Sequence, residues 1–234
     1  MKPGLVDPAE FSSAGAEQVE AALESMVRRK SSPEAATEKA SVSTAEVSVK
    51  LVCCADDQAA ADRLVALRYA SRGYVTDREA GDQFSHQGLL SACLTFLACR
   101  GPQEVGTLTI GVDQGQGLLA DEANQEIVDR LRRAGRRVAE LRRLAVHDPV
   151  DGKAVLAHLF RAVYCAGRLV HGATDVLIEV NPRHANFYAR VFGFVRLGGE
   201  TICARVSAPA VLMHLDIAEL DRRLSRLFAT AVPL

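Results

Sequence analysis

The chain has 234 residues, 48% of them hydrophobic and 24% charged, with a formal net charge of -1. That length carries one full-sized core plus a tail, and the near-neutral balance argues against nucleic acid, which calls for a basic surface. No apolar run approaches the ~18 residues of a membrane span, and the N-terminus lacks the basic-then-apolar order of a signal peptide. The six cysteines show no C-x-x-C pair and no zinc-finger spacing to histidine, and four lie in apolar runs. A cytoplasmic protein without disulfides or a bound metal is therefore expected.

Residues 1–46 read as a flexible arm. Ser31–Glu46 is poor in large apolar residues, although Val19, Ala22, Leu23, Met26 and Val27 fall at helical spacing ahead of Arg28–Lys30 and mark a candidate amphipathic helix. The domain proper is expected over 47–234. VSVKLVCC from Val47 reads as a strand, followed by a helix from Ala55 with Leu64, Leu67 and Ser71 on one face. A polar loop spans 75–88. Two apolar stretches, Leu89–Arg100 and Glu104–Asp113, flank Gly101-Pro102-Gln103 as a hairpin. Asp121 is placed to cap the next helix, with Glu122 and Glu126 near its positive end.

A strand is then expected over Arg136–Val146, a helix over Asp151–His171, a strand over Asp175–Val180 and a short helix over Arg183–Phe192. VLMHLDI closes as the last strand, and an amphipathic helix with Leu220, Leu224 and Leu227 inward ends the chain. The irregular alternation around one hairpin gives a mixed α/β class. Arg130–Arg137 with Arg142 and Arg143 concentrate positive charge, which reads either as a solvated helix end or as a docking patch for an acidic partner.

The order of chemistry-bearing residues is more telling. Glu140-Leu-Arg-Arg143-Leu-Ala-Val146 resembles the E-x-x-R strand of autoinducer synthases and N-acyl amino acid synthases. Asp82-Gln83-Phe84 is similar to their D-Q-[FY]-D element, with Ser85 in place of the second Asp. Arg68 and Tyr69 resemble their arginine-bearing first helix, and NPRHANFYARVFGF (Asn181–Phe194) resembles the N-acyl amino acid synthases, with Tyr188 five residues before Gly193. Together, over about residues 47–217, these resemble the GNAT acyltransferase superfamily. The resemblance implies a mixed central sheet with a splay between two strands, flanked by helices. It also implies transfer of a medium or long acyl chain from a thioester to the amino group of an amino acid.

Ordinary GNAT sequences place a Gly-rich pyrophosphate cradle where this chain reads HDPVDGKAVL, with a single Gly152 and Lys153. A donor without a pyrophosphate, the acyl-phosphopantetheine of an acyl carrier protein, is thus favoured over acyl-CoA, and no permanently bound cofactor is implied. Arg132, Arg133, Arg136, Arg137 and Lys153 are the candidate docking residues for that acidic partner. The alternatives are an acyl-homoserine lactone synthase and a non-catalytic GNAT-like module that binds an acyl-carrier partner. Monomer and dimer both stay open.

Within that frame Glu140 is the candidate general base, the competing reading being a structural ion pair with Arg142 or Arg143. Strict strand alternation would put Glu140 and Arg143 on opposite faces, and the bulge that the resemblance implies here re-aims one of them. The amides of Leu144, Ala145 and Val146 are the implied oxyanion donors. Tyr188 is implied as the acid that protonates the leaving thiolate, or else a packed tyrosine. His184 shares its helix face and reads as cap or substrate contact, and Asn181 ends the strand ahead of Pro182. Arg68 reads as a partner for an acceptor carboxylate or for Asp62, Asp77 or Glu79, and Asp82 as a further substrate contact. Phe84 with Leu89–Leu97 is a candidate wall for an acyl tunnel.

Overall fold

The computed structural model describes residues 46–73, 92–146, 152–203 and 205–222. The arm over 1–45, the loop with Asp82 and Phe84, and the residues at 147–151 lie outside the described residues, as do the Lys153 side chain, Leu224 and Leu227. The elements are β1 (Val47–Leu51), α1 (Ala55–Ser71), β2 (Ala92–Arg100), β3 (Gln103–Val112), α2 (Asp121–Arg133), β4 (Val138–Val146), α3 (Gly152–Tyr164), β5 (Asp175–Val180), α4 (Pro182–Phe192), β6 (Val195–Cys203) and β7 (Ala208–Asp216). Among the described residues, no helix is long and apolar enough to cross a membrane.

The strands form one seven-stranded sheet in the order β1-β2-β3-β4-β5-β7-β6. All neighbours are antiparallel except β4 and β5, which are joined through α3 and run parallel. Period-two alternation sends Phe96, Leu108, Ile110, Leu141 and Ile178 to one face, where Val155 and Leu159 of α3 and Tyr188 of α4 cover them. The other face takes α1, through Ala60, Ala61, Leu64 and Val65 on Leu97 and Ala145. Beside it α2 packs through Val128 on Val138, Leu177 and Leu212. Gly106 lets α3 approach β3: a Cβ there would stand 2.7 Å from Val155 Cγ1 and 3.2 Å from the Ala145 carbonyl.

Three expectations change. Leu67 is 66% exposed, because the inner stripe of α1 is set by Ala60, Ala61, Leu64 and Val65 and position 67 falls off it. The helix expected over Asp151–His171 is α-helical only to Tyr164 and closes with a π-helical turn, Cys165–Val170. Strand β6 is absent from the sequence reading. It is an edge strand with no buried residue and carries Gly198 and Gly199, so it has no alternating apolar signal.

Two irregularities in β4 create the functional geometry. Thr107 of β3 faces Ala145 and Thr109 faces Arg142, so Arg143 and Leu144 together oppose Leu108. Arg143 adopts φ 58° at this bulge. Side-chain parity therefore switches: Val138, Glu140 and Arg142 precede the bulge, and Arg143 and Ala145 follow it, all on the α1/α2 face. On its other edge β4 pairs with β5 only from Val138↔Asp175 to Leu141↔Ile178, and the two strands part beyond. That parting is the expected splay.

Candidate active site

A cleft of about 360 Å³ opens at the splay, walled by Glu140–Val146 on β4, Ile178–Val180 on β5, Asn181, the end of α1 and the inner face of α4. Glu140, Arg143, Leu144, Ala145, Val146, Arg68, Asn181, His184 and Tyr188 all line it. Residues up to 120 positions apart in the chain thus converge on one opening.

Glu140 is 3% exposed. One carboxylate oxygen accepts from the Leu119 amide at 2.8 Å and from the Ala120 amide at 3.3 Å, at the start of α2. Among the described residues it joins no ion pair, so the Glu140–Arg143 and Glu140–Arg142 pairs are not formed. Burial is the main cause that pushes its carboxyl up to about 7; the charges of Arg142 and Arg205 and the Ala120 amide pull back, while Glu179 pushes with burial. A carboxyl balanced near neutrality takes and releases protons readily.

Arg143, 8% exposed, turns at the bulge to Asp62 of α1, fixing the helix against the splayed end of β4. Asp62 also accepts from Gln58 at 2.9 Å, and its ion-pair partner among the described residues is Arg143. Arg68 lies half-buried nearly two turns beyond Asp62 on α1, on the cleft wall.

The other wall is aromatic. Asn181 caps α4 by accepting from the Arg183 amide, Pro182 fills the first helical position, and Gly193 ends the helix at φ 84°. This short, well-terminated helix presents Tyr188, packed edge-on to Phe187 and Phe194 and tilted against Phe160. Burial pushes the Tyr188 phenol up to about 12, helped by Tyr69, so it holds its proton. No hydrogen-bond partner of its hydroxyl is found among the described residues. His184 accepts from Arg183 Nε at 3.1 Å and lies 3.4 Å from a terminal nitrogen of Arg72. Burial and those two cations lower its pKa, which keeps it neutral.

Sequence reasoning missed a second polar group in the cleft. Glu179 of β5 accepts from Asn124 Nδ2 at 3.0 Å and from Arg205 at 2.8 Å, and Arg205 also donates to Glu122 at 2.6 Å. Burial raises the Glu179 pKa. The partners lie 26 to 83 residues apart, and the one local signal is a charged residue inside the apolar strand DVLIEV.

The docking candidates divide. Arg132 is held by Asp113 at 2.5 Å, Asp121 at 2.6 Å and Asp129 at 2.8 Å. Arg136 joins Asp175 at 2.5 Å and Asp216 at 2.7 Å. These two are half-buried clamps of the fold, whereas Arg133 and Arg137 are exposed. Asp121 serves the turn before α2, accepting from the Leu118 amide at 2.6 Å, and does not act as the helix cap.

A mixed sheet parted beside a parallel strand pair, with a buried carboxylate at the base of the gap, defines a GNAT-type acyltransferase. Residues 60–216 match the family model of the N-acyl amino acid synthase FeeM, and the chain belongs to that family. It is similar to the structure of FeeM, an N-acyl amino acid synthase from uncultured soil microbes. The two share 26% identity at a TM-score of 0.67, over 75% of this chain and 93% of that one. The fold also resembles Escherichia coli ElaA (12% identity, TM-score 0.54, 73% of this chain and 99% of that). An acyl-CoA N-acyltransferase from Pseudomonas aeruginosa is similar too (15%, 0.51, 72% and 97%). Among curated proteins none matches significantly.

Proposed function

We propose that this N-acyltransferase moves a medium or long acyl chain from a phosphopantetheine thioester to the amino group of an amino acid. The observation that carries the reading is the parting of β4 from β5 after Leu141 and Ile178, with Glu140 buried at its base. Membership of the N-acyl amino acid synthase family favours amino-acid acylation over lactone formation.

In this reading the pantetheine arm lies in the splay, replacing the β5 edge that β4 lacks there. Glu140 takes a proton from the acceptor ammonium, and the freed amine attacks the thioester carbon. Negative charge developing on the carbonyl oxygen is met by main-chain N–H groups of Leu144–Val146, which need no reorganisation at the moment of reaction. The C–S bond then breaks, Tyr188 gives its proton to the departing sulfur, and the second proton of the nitrogen passes through solvent to the Tyr188 phenolate as the amide forms. Cys203 is the cysteine that lines the cleft among the described residues, and burial pushes its thiol up. A thiol held protonated is a poor nucleophile, which supports direct attack without an acyl-enzyme.

The donor is an acyl carrier protein, because the α3 start offers one glycine where a pyrophosphate cradle needs several. Arg133 and Arg137 are the exposed cations left to steer such an acidic partner. The test is to incubate purified protein with acyl-carrier and acyl-CoA thioesters and a pool of amino acids, then identify products by mass spectrometry. An N-acyl amino acid with stoichiometric free thiol is expected, faster from the carrier. No acylated product from any donor sinks the reading.

A further inference from the structure

Arg142 has no role in the chemistry above, yet it lines the cleft two residues beyond Glu140 on the same face of β4. Its surroundings are unusual for a cation. Its Nε is buried with no hydrogen-bond partner among the described residues, and one terminal nitrogen meets the sulfur of Cys93. A thiol is a weak acceptor and a poor match for a guanidinium, whose planar edge suits a carboxylate. The neighbouring arginines have carboxylate partners: Arg143, whose Nε also makes no hydrogen bond among the described residues, pairs with Asp62, and Arg205 with Glu122 and Glu179. Glu140 feels the charge of Arg142 but forms no hydrogen bond or ion pair with it among the described residues. An always-charged guanidinium that lines a cleft and has a thiol, not a carboxylate, as its side-chain partner is what a substrate anion would complete.

We propose that Arg142 forms the subsite for the acceptor's carboxylate. The acceptor is then an amine that carries a carboxylate a few atoms from its nitrogen, with the ammonium at Glu140 and the carboxylate on the Arg142 guanidinium. The side chain of the amino acid is left to face the rest of the cleft. This inference rests on the proposed amino-acid acylation and adds to it the residue that tells an amino acid from a plain amine. Arg68, half-exposed at the end of α1, is the rival reader of the same carboxylate.

The experiment compares kcat/KM for an accepted amino acid with that for its carboxamide and its decarboxylated amine, in the wild type, Arg142→Gln, Arg142→Lys and Arg68→Gln. Loss of a charge-assisted pair predicts that Arg142→Gln lowers the amino-acid to carboxamide ratio roughly 10- to 100-fold, mainly through the acceptor KM. Arg142→Lys should recover part of that ratio, and it reads the subsite alone if the Gln variant does not fold. The ratio surviving in both Arg142 variants, or collapsing in Arg68→Gln instead, overturns the inference while leaving the acylation reading intact. Wild-type protein that acylates none of the acceptors overturns both.

Discussion

Glu140→Gln separates catalysis from stability in opposite directions. Glutamine keeps an oxygen for the Leu119 and Ala120 amides, so the turn before α2 retains its partners. It removes the base, and loss of a general base costs about 10²- to 10⁴-fold in rate. A carboxyl moved from 4.5 to about 7 is about one tenth ionised at pH 6 and about nine tenths at pH 8. Wild-type kcat/KM should therefore rise about tenfold between those values, and the variant should lack this limb.

The stability sign follows from the same shift. Between pH 4.5 and about 7 the folded carboxyl keeps a proton that the unfolded chain has released, so raising the pH costs stability. At about 1.4 kcal/mol per pH unit the total is about 3 kcal/mol, reached just above pH 7 and absent below 4.5. Urea unfolding at pH 5 and pH 8 should show Glu140→Gln gaining on the wild type by that order at the higher pH only. A flat wild-type rate profile across pH 6 to 8, or a Gln variant with the same limb, would refute the assignment of the base.

Tyr188→Phe keeps every ring contact of α4 and removes one hydroxyl. It should leave the melting temperature nearly unchanged and lower single-turnover thiol release by at least about tenfold; an unchanged rate makes Tyr188 a packing residue. Asp175 is fully buried. Burial pushes it up, but hydrogen bonds from His214, Arg136 and Thr174 prevail and hold it at about 2, so its contribution is complete above pH 4 and is lost as pH falls toward 2. Asp175→Asn should cost about 3 kcal/mol in neutral buffer by leaving Arg136 short of its main partner, and should narrow the gap to wild type on acidification, both measurable by urea titration. Gly106→Val should cost roughly 1–3 kcal/mol, read as a lowered melting temperature, because its side chain meets Val155 and the Ala145 carbonyl.

The elements legible in the sequence are those whose signal is local. Apolar runs mark β2, β3, β5 and β7. Helical spacing marks α1 through α4, and Asn181-Pro182 with Gly193 bracket α4 by capping chemistry. β6 escaped because an exposed edge strand with two central glycines needs no apolar pattern. Glu140, Arg143 and Tyr188 were legible as polar groups in apolar surroundings at family-like spacing.

What the sequence by itself determined is which residues bring chemistry to the sheet and roughly which element carries each. Partner choice belonged to the tertiary structure. Arg143 turned to Asp62, and Arg132 and Arg136 went to aspartates up to 80 residues away. Glu179 found Asn124 and Arg205, while Arg142, on the cleft wall, met the sulfur of Cys93. The physical reason is that a charge is satisfied by whatever lies within about 3 Å of it in space, and neither periodicity nor spacing along a chain encodes that distance. The bulge at Arg143 shows the limit most clearly. One extra residue between two hydrogen-bonded strands reverses which face receives every later side chain, and the pairing that creates it exists only once β3 and β4 have met.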